Sequence, residues 1–80
     1  MREVTIDNLA EIFGEVIDLS GIKIHGSAVL GEDIPIDSKE MLRILSRIES
    51  RYRFRFDPRE ILGLKTLSDV LKSVQRRAIP

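Results

Sequence analysis

Cysteine is absent from this 80-residue chain, and histidine occurs once, at His25. Without cysteine there is no disulfide framework, no thiolate metal site and no cysteine nucleophile, a composition that suits a reducing compartment. One histidine cannot assemble a His-based metal site or a proton relay, so His25 reads as a loop residue in solvent. The serines have no candidate base for a hydrolytic triad. Glu32-Asp33 reads as a solvated acidic turn rather than a catalytic pair, able at most to attract a divalent cation weakly. No enzyme activity and no metal site are expected. Long apolar runs are missing too, since nothing approaches the ~20 apolar residues of a membrane span. At the amino terminus, MREVTIDNLAEIF places Glu3, Asp7 and Glu11 where a secretory peptide needs an unbroken apolar stretch. The reading is a soluble, unprocessed protein, with the cytoplasm as its expected location.

What is present fits one domain over residues 1–80, with a single core that buries roughly 60% of the surface of the unfolded chain. The 13 basic and 13 acidic side chains cancel, but they are unevenly placed. Residues 1–36 hold two bases and seven acids, a balance of −5, and residues 37–80 hold eleven bases and six acids, a balance of +5. Such a division bears on partners more than on fold.

Val4, Leu9, Ile12, Phe13, Val16 and Ile17 recur at three- and four-residue steps with acids between them, which predicts an amphipathic helix over residues 5–18 with Thr5 as its N-cap. Ser20-Gly21 ends it. IKIHGSAVLGEDIPI then has the composition of a loop of about 17 residues pinned to a core, longer than a small domain ordinarily carries. A second helix opens at Asp37 or Ser38 and runs to Tyr52, with Met41, Ile44, Leu45, Ile48 and Tyr52 as its apolar stripe. Asp57, Pro58 and Glu60 mark the start of a short third helix ending near Gly63. Thr66 and Asp69 repeat that signature for a fourth helix, with Leu67, Val70, Leu71 and Val74 on one face. The fold class is all-α: a four-helix bundle of three main helices, a short third helix and a long first loop.

This order of parts resembles an acyl carrier protein. The resemblance covers nearly the whole chain: an amphipathic first helix, a long loop, the acidic approach Glu32-Asp33, Asp37-Ser38 opening the second helix, Tyr52 near its end, a short third helix, and a final helix led by Thr66-Leu67. It implies that Ser38, the serine after the aspartate, is esterified by a phosphopantetheinyl transferase using coenzyme A. A 4′-phosphopantetheine arm would then carry acyl groups as thioesters to acyl-transferring or acyl-activating enzymes. The placement makes physical sense, because a phosphodiester at a helix start meets unpaired N–H donors and the positive end of the macrodipole. Asp37 is the motif neighbour. The implied function is that of a standalone, monomeric, non-catalytic carrier in lipid or fatty-acid-type biosynthesis. Two other readings share the fold: an unmodified helical interaction module, and an aminoacyl or peptidyl carrier.

The chain departs from the family's usual pattern. Lys39 follows the serine where a leucine or methionine is usual, and Pro35 stands where a glycine is. The second helix of ordinary bacterial carriers is acidic and docks on basic patches, whereas this one carries Lys39, Arg43, Arg47 and Arg51 at every fourth position. At 3.6 residues per turn that row drifts about 40° per step, placing Lys39 and Arg43 opposite the apolar stripe and Arg47 and Arg51 on its flank. Glu40 lies within reach of Arg43. A solvated face is one reading of this row. The other makes Lys39, Leu42, Arg43, Ser46 and Arg47 a contact set for partners with an acidic docking surface, and repulsion from basic sites would dedicate the carrier to its own pathway: a specialised lipid, lipopolysaccharide or polyketide-type one. RYRFRFDPR, with arginines alternating with Tyr52, Phe54 and Phe56, invites single-stranded nucleic-acid stacking. Tyr52 belongs to the core stripe and Phe56 to a buried family position, which leaves only Phe54, so nucleic acid is not expected as a partner.

Overall fold

The computed structural model describes residues 4–77; Arg2 and Glu3, counted above in the acidic half, lie outside the described residues. Four helices and no strands occur among the described residues: α1 (Ile6–Gly14), α2 (Ser38–Tyr52), α3 (Pro58–Ile61) and α4 (Leu67–Arg77). Each begins where a side chain can satisfy free first-turn amides. Thr5 and Asn8 exchange bonds at α1, Asp37 and Glu40 at α2, and Asp57 and Glu60 at α3. At α4 the Thr66 hydroxyl accepts the Asp69 amide at 3.2 Å, and the Asp69 carboxylate accepts the Thr66 amide at 2.9 Å.

The amphipathic period over residues 5–18 overstates the first helix, which stops at Gly14. Beyond it the amides of Glu15 and Val16 donate three residues back, to the carbonyls of Ile12 and Phe13, in a tightened last turn. The Asp18 side chain then accepts the Ser20 amide at 2.9 Å and turns the chain away. Val16 and Ile17 still pack on the core, and the Ile17 amide reaches back four residues to the Phe13 carbonyl at 2.9 Å, so the spacing reported burial that continues past the end of the helix.

Leu9, Ile12 and Phe13 of α1, Ile44, Leu45 and Ile48 of α2, and Leu67, Val70 and Val74 of α4 form the buried centre. Ala28 and Ile34 from the long loop and Phe56 from the α2–α3 turn complete it. Fully burying one such side chain is worth about 1.5–3 kcal/mol, so this stripe, rather than surface charge, holds α2 in place. Phe54 is half-buried and meets Phe56 edge-on, ring centroids 4.9 Å apart at 70°, so the aromatic left over in the sequence also packs inside the molecule. After α2, Arg53 takes a left-handed conformation (φ 56°) as its amide donates to the Glu49 carbonyl. The Glu49 carboxylate accepts the Phe56 amide at 2.7 Å. Together these bonds reverse the chain into α3. Glu60 then gathers Arg76 and Arg77 at 3.1 and 2.9 Å, which fastens the end of α4 to α3.

The long connection between α1 and α2 is fastened to the start of α4. The Leu30 amide donates to the Lys65 carbonyl at 2.9 Å, and the Ala28 and Gly26 carbonyls accept the amides of Leu67 and Ser68 at 3.1 and 2.8 Å. Val29 pairs with Thr66 in an isolated antiparallel bridge. His25 is exposed, its Nδ1 2.9 Å from the Ser27 hydroxyl.

Candidate functional site

The approach to α2 is built by a closed turn. The Val29 carbonyl accepts from the amides of Glu32, Asp33 and Ile34 at 3.2, 2.9 and 3.2 Å, while the Asp33 carboxylate accepts the Val29 amide at 2.8 Å. Gly31 sits at φ 91°, a conformation that a side chain would strain. Its amide donates to the Ile34 carbonyl at 2.8 Å, and Ile34 is fully buried. Glu32 faces solvent. The turn delivers residues 35–37 to the head of α2 in fixed register.

There Asp37 is extended (φ −97°, ψ 176°) and accepts the Glu40 amide at 2.7 Å; Glu40 in turn accepts the Asp37 amide at 2.9 Å. Glu40 thus bonds back to Asp37 and not forward to Arg43, which its spacing also places within reach. A bond to an otherwise unsatisfied amide one turn back outweighs an exposed ion pair, which is worth little. The capping box uses two first-turn donors. The amides of Ser38 and Lys39 are left without a side-chain acceptor among the described residues. Ser38, the first residue of α2, is exposed at that open end, where an attached anion gains ~0.3–1 kcal/mol from the helix dipole.

A shallow groove of about 190 Å³ lies beside Ser38, walled by Leu30, Ile36, Met41 and Leu64. A thin, flexible arm leaving the hydroxyl therefore has an apolar surface to lie on, and the residues present fit such a group. Leu30, Ile36 and Leu64 were not legible as site residues, because they come from two irregular segments that no periodicity relates to α2. Asp69 supports this wall from behind. Amides of Thr66 and Lys65 both donate to its Oδ2, at 2.9 Å each, and hold its carboxyl below the usual carboxylate range. The Lys65 carbonyl is the acceptor for Leu30, so the Asp69 carboxylate orders the backbone on which the wall is fastened. Asp18 is also held low, by the Ser20 side chain and then its amide, but far along the chain from the groove.

Down the exposed side of α2 from Ser38 come Lys39, Leu42, Arg43 and Ser46, all open to solvent, with Leu42 61% exposed. Lys39 and Arg43 have no hydrogen-bond or ion-pair partner among the described residues. Arg47 is exposed as well, but on the flank, where it meets Glu15 at 3.1 Å, and Arg51 meets the same carboxylate at 3.3 Å. The structure thus gathers Asp37, Ser38, Lys39, Leu42, Arg43 and Ser46 at one end and face of α2, and ties Arg47 to the residue that follows α1.

No helix among the described residues is long and apolar enough to cross a membrane, and no group of three or more His, Cys, Asp or Glu among them is placed to hold a metal ion. Residues 7–74 match the family described as Phosphopantetheine attachment site. Two similar proteins are called meromycolate extension acyl carrier protein. The one from Mycolicibacterium smegmatis is 29% identical over 75 residues, which cover 94% of this chain and 76% of its own. The one from Mycobacterium tuberculosis is 29% identical over 75 residues, 94% of this chain and 65% of its own. An acyl carrier protein from Acidothermus cellulolyticus is 23% identical over 78 residues, 98% of this chain and 93% of its own. No solved structure matches the chain.

Proposed function

The chain belongs to the phosphopantetheine attachment family of acyl carrier proteins, and from that premise we propose that it is a carrier dedicated to its own lipid pathway, loaded at Ser38. The observation that carries this is the position of Ser38: exposed, first in α2, after a capping Asp37, beside an apolar groove. The arm supplies the thiol that this cysteine-free chain lacks, and with it the place where an acyl group is held as a thioester. The protein's own residues do no bond chemistry on that cargo. Asp37 and Glu40 fix the helix start and leave the Ser38 and Lys39 amides available to a phosphodiester attached there. Leu30, Ile36, Met41 and Leu64 would give an attached arm an apolar surface.

A tether raises the local concentration of cargo at a docked enzyme to the millimolar range when it is short and flexible. Partner choice then decides the pathway. Lys39 and Arg43 flank Leu42 with free positive charge, so the carrier suits a transferase and acyl-handling enzymes whose docking surfaces are acidic, with the cytoplasm as the compartment of this reading. The name of those relatives, meromycolate extension acyl carrier protein, supports a dedicated lipid pathway.

The test is intact mass after incubation with coenzyme A and a broad-specificity phosphopantetheinyl transferase. The wild type is expected to gain one phosphopantetheine group and Ser38→Ala none. An unmodified wild type, under conditions that convert a control carrier, overturns the proposal.

A further inference from the structure

The four basic residues of α2 are not equivalent in the folded chain. Glu15 stands just past α1, yet its two carboxylate oxygens meet two successive turns of α2, Oε1 on Arg47 and Oε2 on Arg51. Three charges there leave one net positive charge, whereas Lys39 and Arg43 bring two with no acid opposite them. The division falls at Ser46. Ahead of it lie Ser38, the free cations and an exposed apolar side chain of α2, Leu42. Behind it the guanidiniums are turned toward another part of the fold.

We propose that Glu15 is a specificity-determining residue of the docking surface. By drawing Arg47 and Arg51 to itself it confines the effective positive charge of α2 to Lys39 and Arg43. The partner this surface fits is a protein whose acidic groups surround an apolar recess for Leu42 over two helical turns, about 11 Å, and not one with an acidic trough along the whole helix. This rests on the reading of α2 as the face that partners meet, and it assigns that face a length. Without Glu15 the Arg47 guanidinium is released and the basic row runs on past Ser46, which admits a longer acidic surface. With it, a long trough presents carboxylates to Glu15, and like charges in the wrong register penalise the complex.

The experiment uses the unloaded protein, so it is independent of whether Ser38 is modified. Backbone amide NMR shifts are followed while a short poly-glutamate peptide is added to wild type, to Glu15→Gln and to an Arg47→Ala, Arg51→Ala double variant. In wild type at about 0.05 M salt the shifts are expected to be confined to residues 39–46. Glu15→Gln keeps the size of the side chain and removes its charge; its footprint is expected to extend to residue 47, and its affinity to rise about two- to fivefold, the range an exposed ion pair supplies. The double variant leaves the Glu15 carboxylate uncompensated, so its footprint should stay within residues 39–46 and its affinity should fall below that of wild type. At about 0.5 M salt the three should become alike. A merely structural Glu15 would change the thermal midpoint without moving the footprint. Identical footprints in wild type and Glu15→Gln overturn the proposal, as does a wild-type footprint that already covers the whole helix, or no binding by any of the three. The mass measurement on Ser38 reports separately on the carrier reading.

Discussion

Asp37 and Glu40 hold each other's amides across the first turn of α2, at 2.9 and 2.7 Å, with Ser38 between them. The residue proposed for modification therefore sits inside a hydrogen-bonded frame rather than on a fraying end. Asp37→Ala should cost about 0.5–2 kcal/mol of stability, the usual loss for a helix cap. It should also slow the loading of Ser38, since the hydroxyl then starts from a disordered turn. Denaturant unfolding and a time course of mass gain read the two effects. A cap variant of full stability would mean that the box contributes nothing to the helix start.

Ile48 is fully buried at the centre of α2, while its neighbour Arg47 is half exposed, its side chain at 53%. Ile48→Ala should cost about 2–5 kcal/mol, a large share of the stability of a domain this small. Arg47→Ala should cost no more than about 1 kcal/mol, because its partner Glu15 is itself exposed. Urea midpoints of the two variants check the helix phase, and equal losses would contradict it.

Charge reversal on the free part of the row should redirect the carrier. A Lys39→Leu, Arg43→Glu variant removes two positive charges from the exposed face and adds a negative one, without touching the core. It should remain folded and be acylated about threefold to tenfold faster by a transacylase with a basic docking site, an advantage that fades in high salt. Unchanged rates at both salt concentrations would reduce the row to a solvated face.

Acid should loosen the wall of the groove. The Asp69 carboxyl is held below its ordinary range by the amides of Thr66 and Lys65, so its folded pKa is depressed relative to the unfolded chain. The stabilisation is full above the unfolded carboxylate value and is lost as the pH falls through the folded one. Unfolding free energy should therefore decline from the usual carboxylate range downward, and Asp69→Asn should flatten part of that decline. Amide exchange at Leu30, whose acceptor is the Lys65 carbonyl, should rise over the same pH interval. A decline as steep in Asp69→Asn as in wild type would assign it to other carboxylates.

Helix starts were the most legible part of the sequence, because a cap is a local contract between residues three apart: Thr5 with Asn8, Asp37 with Glu40, Asp57 with Glu60, Thr66 with Asp69. The Asp-x-x-Glu spacing at residues 37–40 also carried the signal that Glu40 turns back to the amide of Asp37 instead of forward to Arg43. The end of α1 was less legible, since Val16 and Ile17 keep the amphipathic spacing while packing from a turn. Ser38 was found because its neighbours in sequence are its neighbours in space. Leu30 and Leu64 were not, for the opposite reason: they meet across 34 positions, through a one-residue bridge and three backbone bonds that leave no mark on composition. The contact of Glu15 with Arg47 and Arg51 is equally non-local.

The fastening of the α1–α2 loop to residues 65–68 sets an order of events at the birth of the protein. Ser38, its cap and the turn before it leave the ribosome well ahead of Leu64 and the start of α4, and until those residues emerge the loop has only its own internal turn bonds. A nascent chain that ends before residue 64 has the serine but lacks Leu64, one wall of its groove, and the backbone groups of residues 65–68 that fasten the loop. The proposed loading of Ser38 should therefore favour chains in which residues 65–68 have already joined the loop.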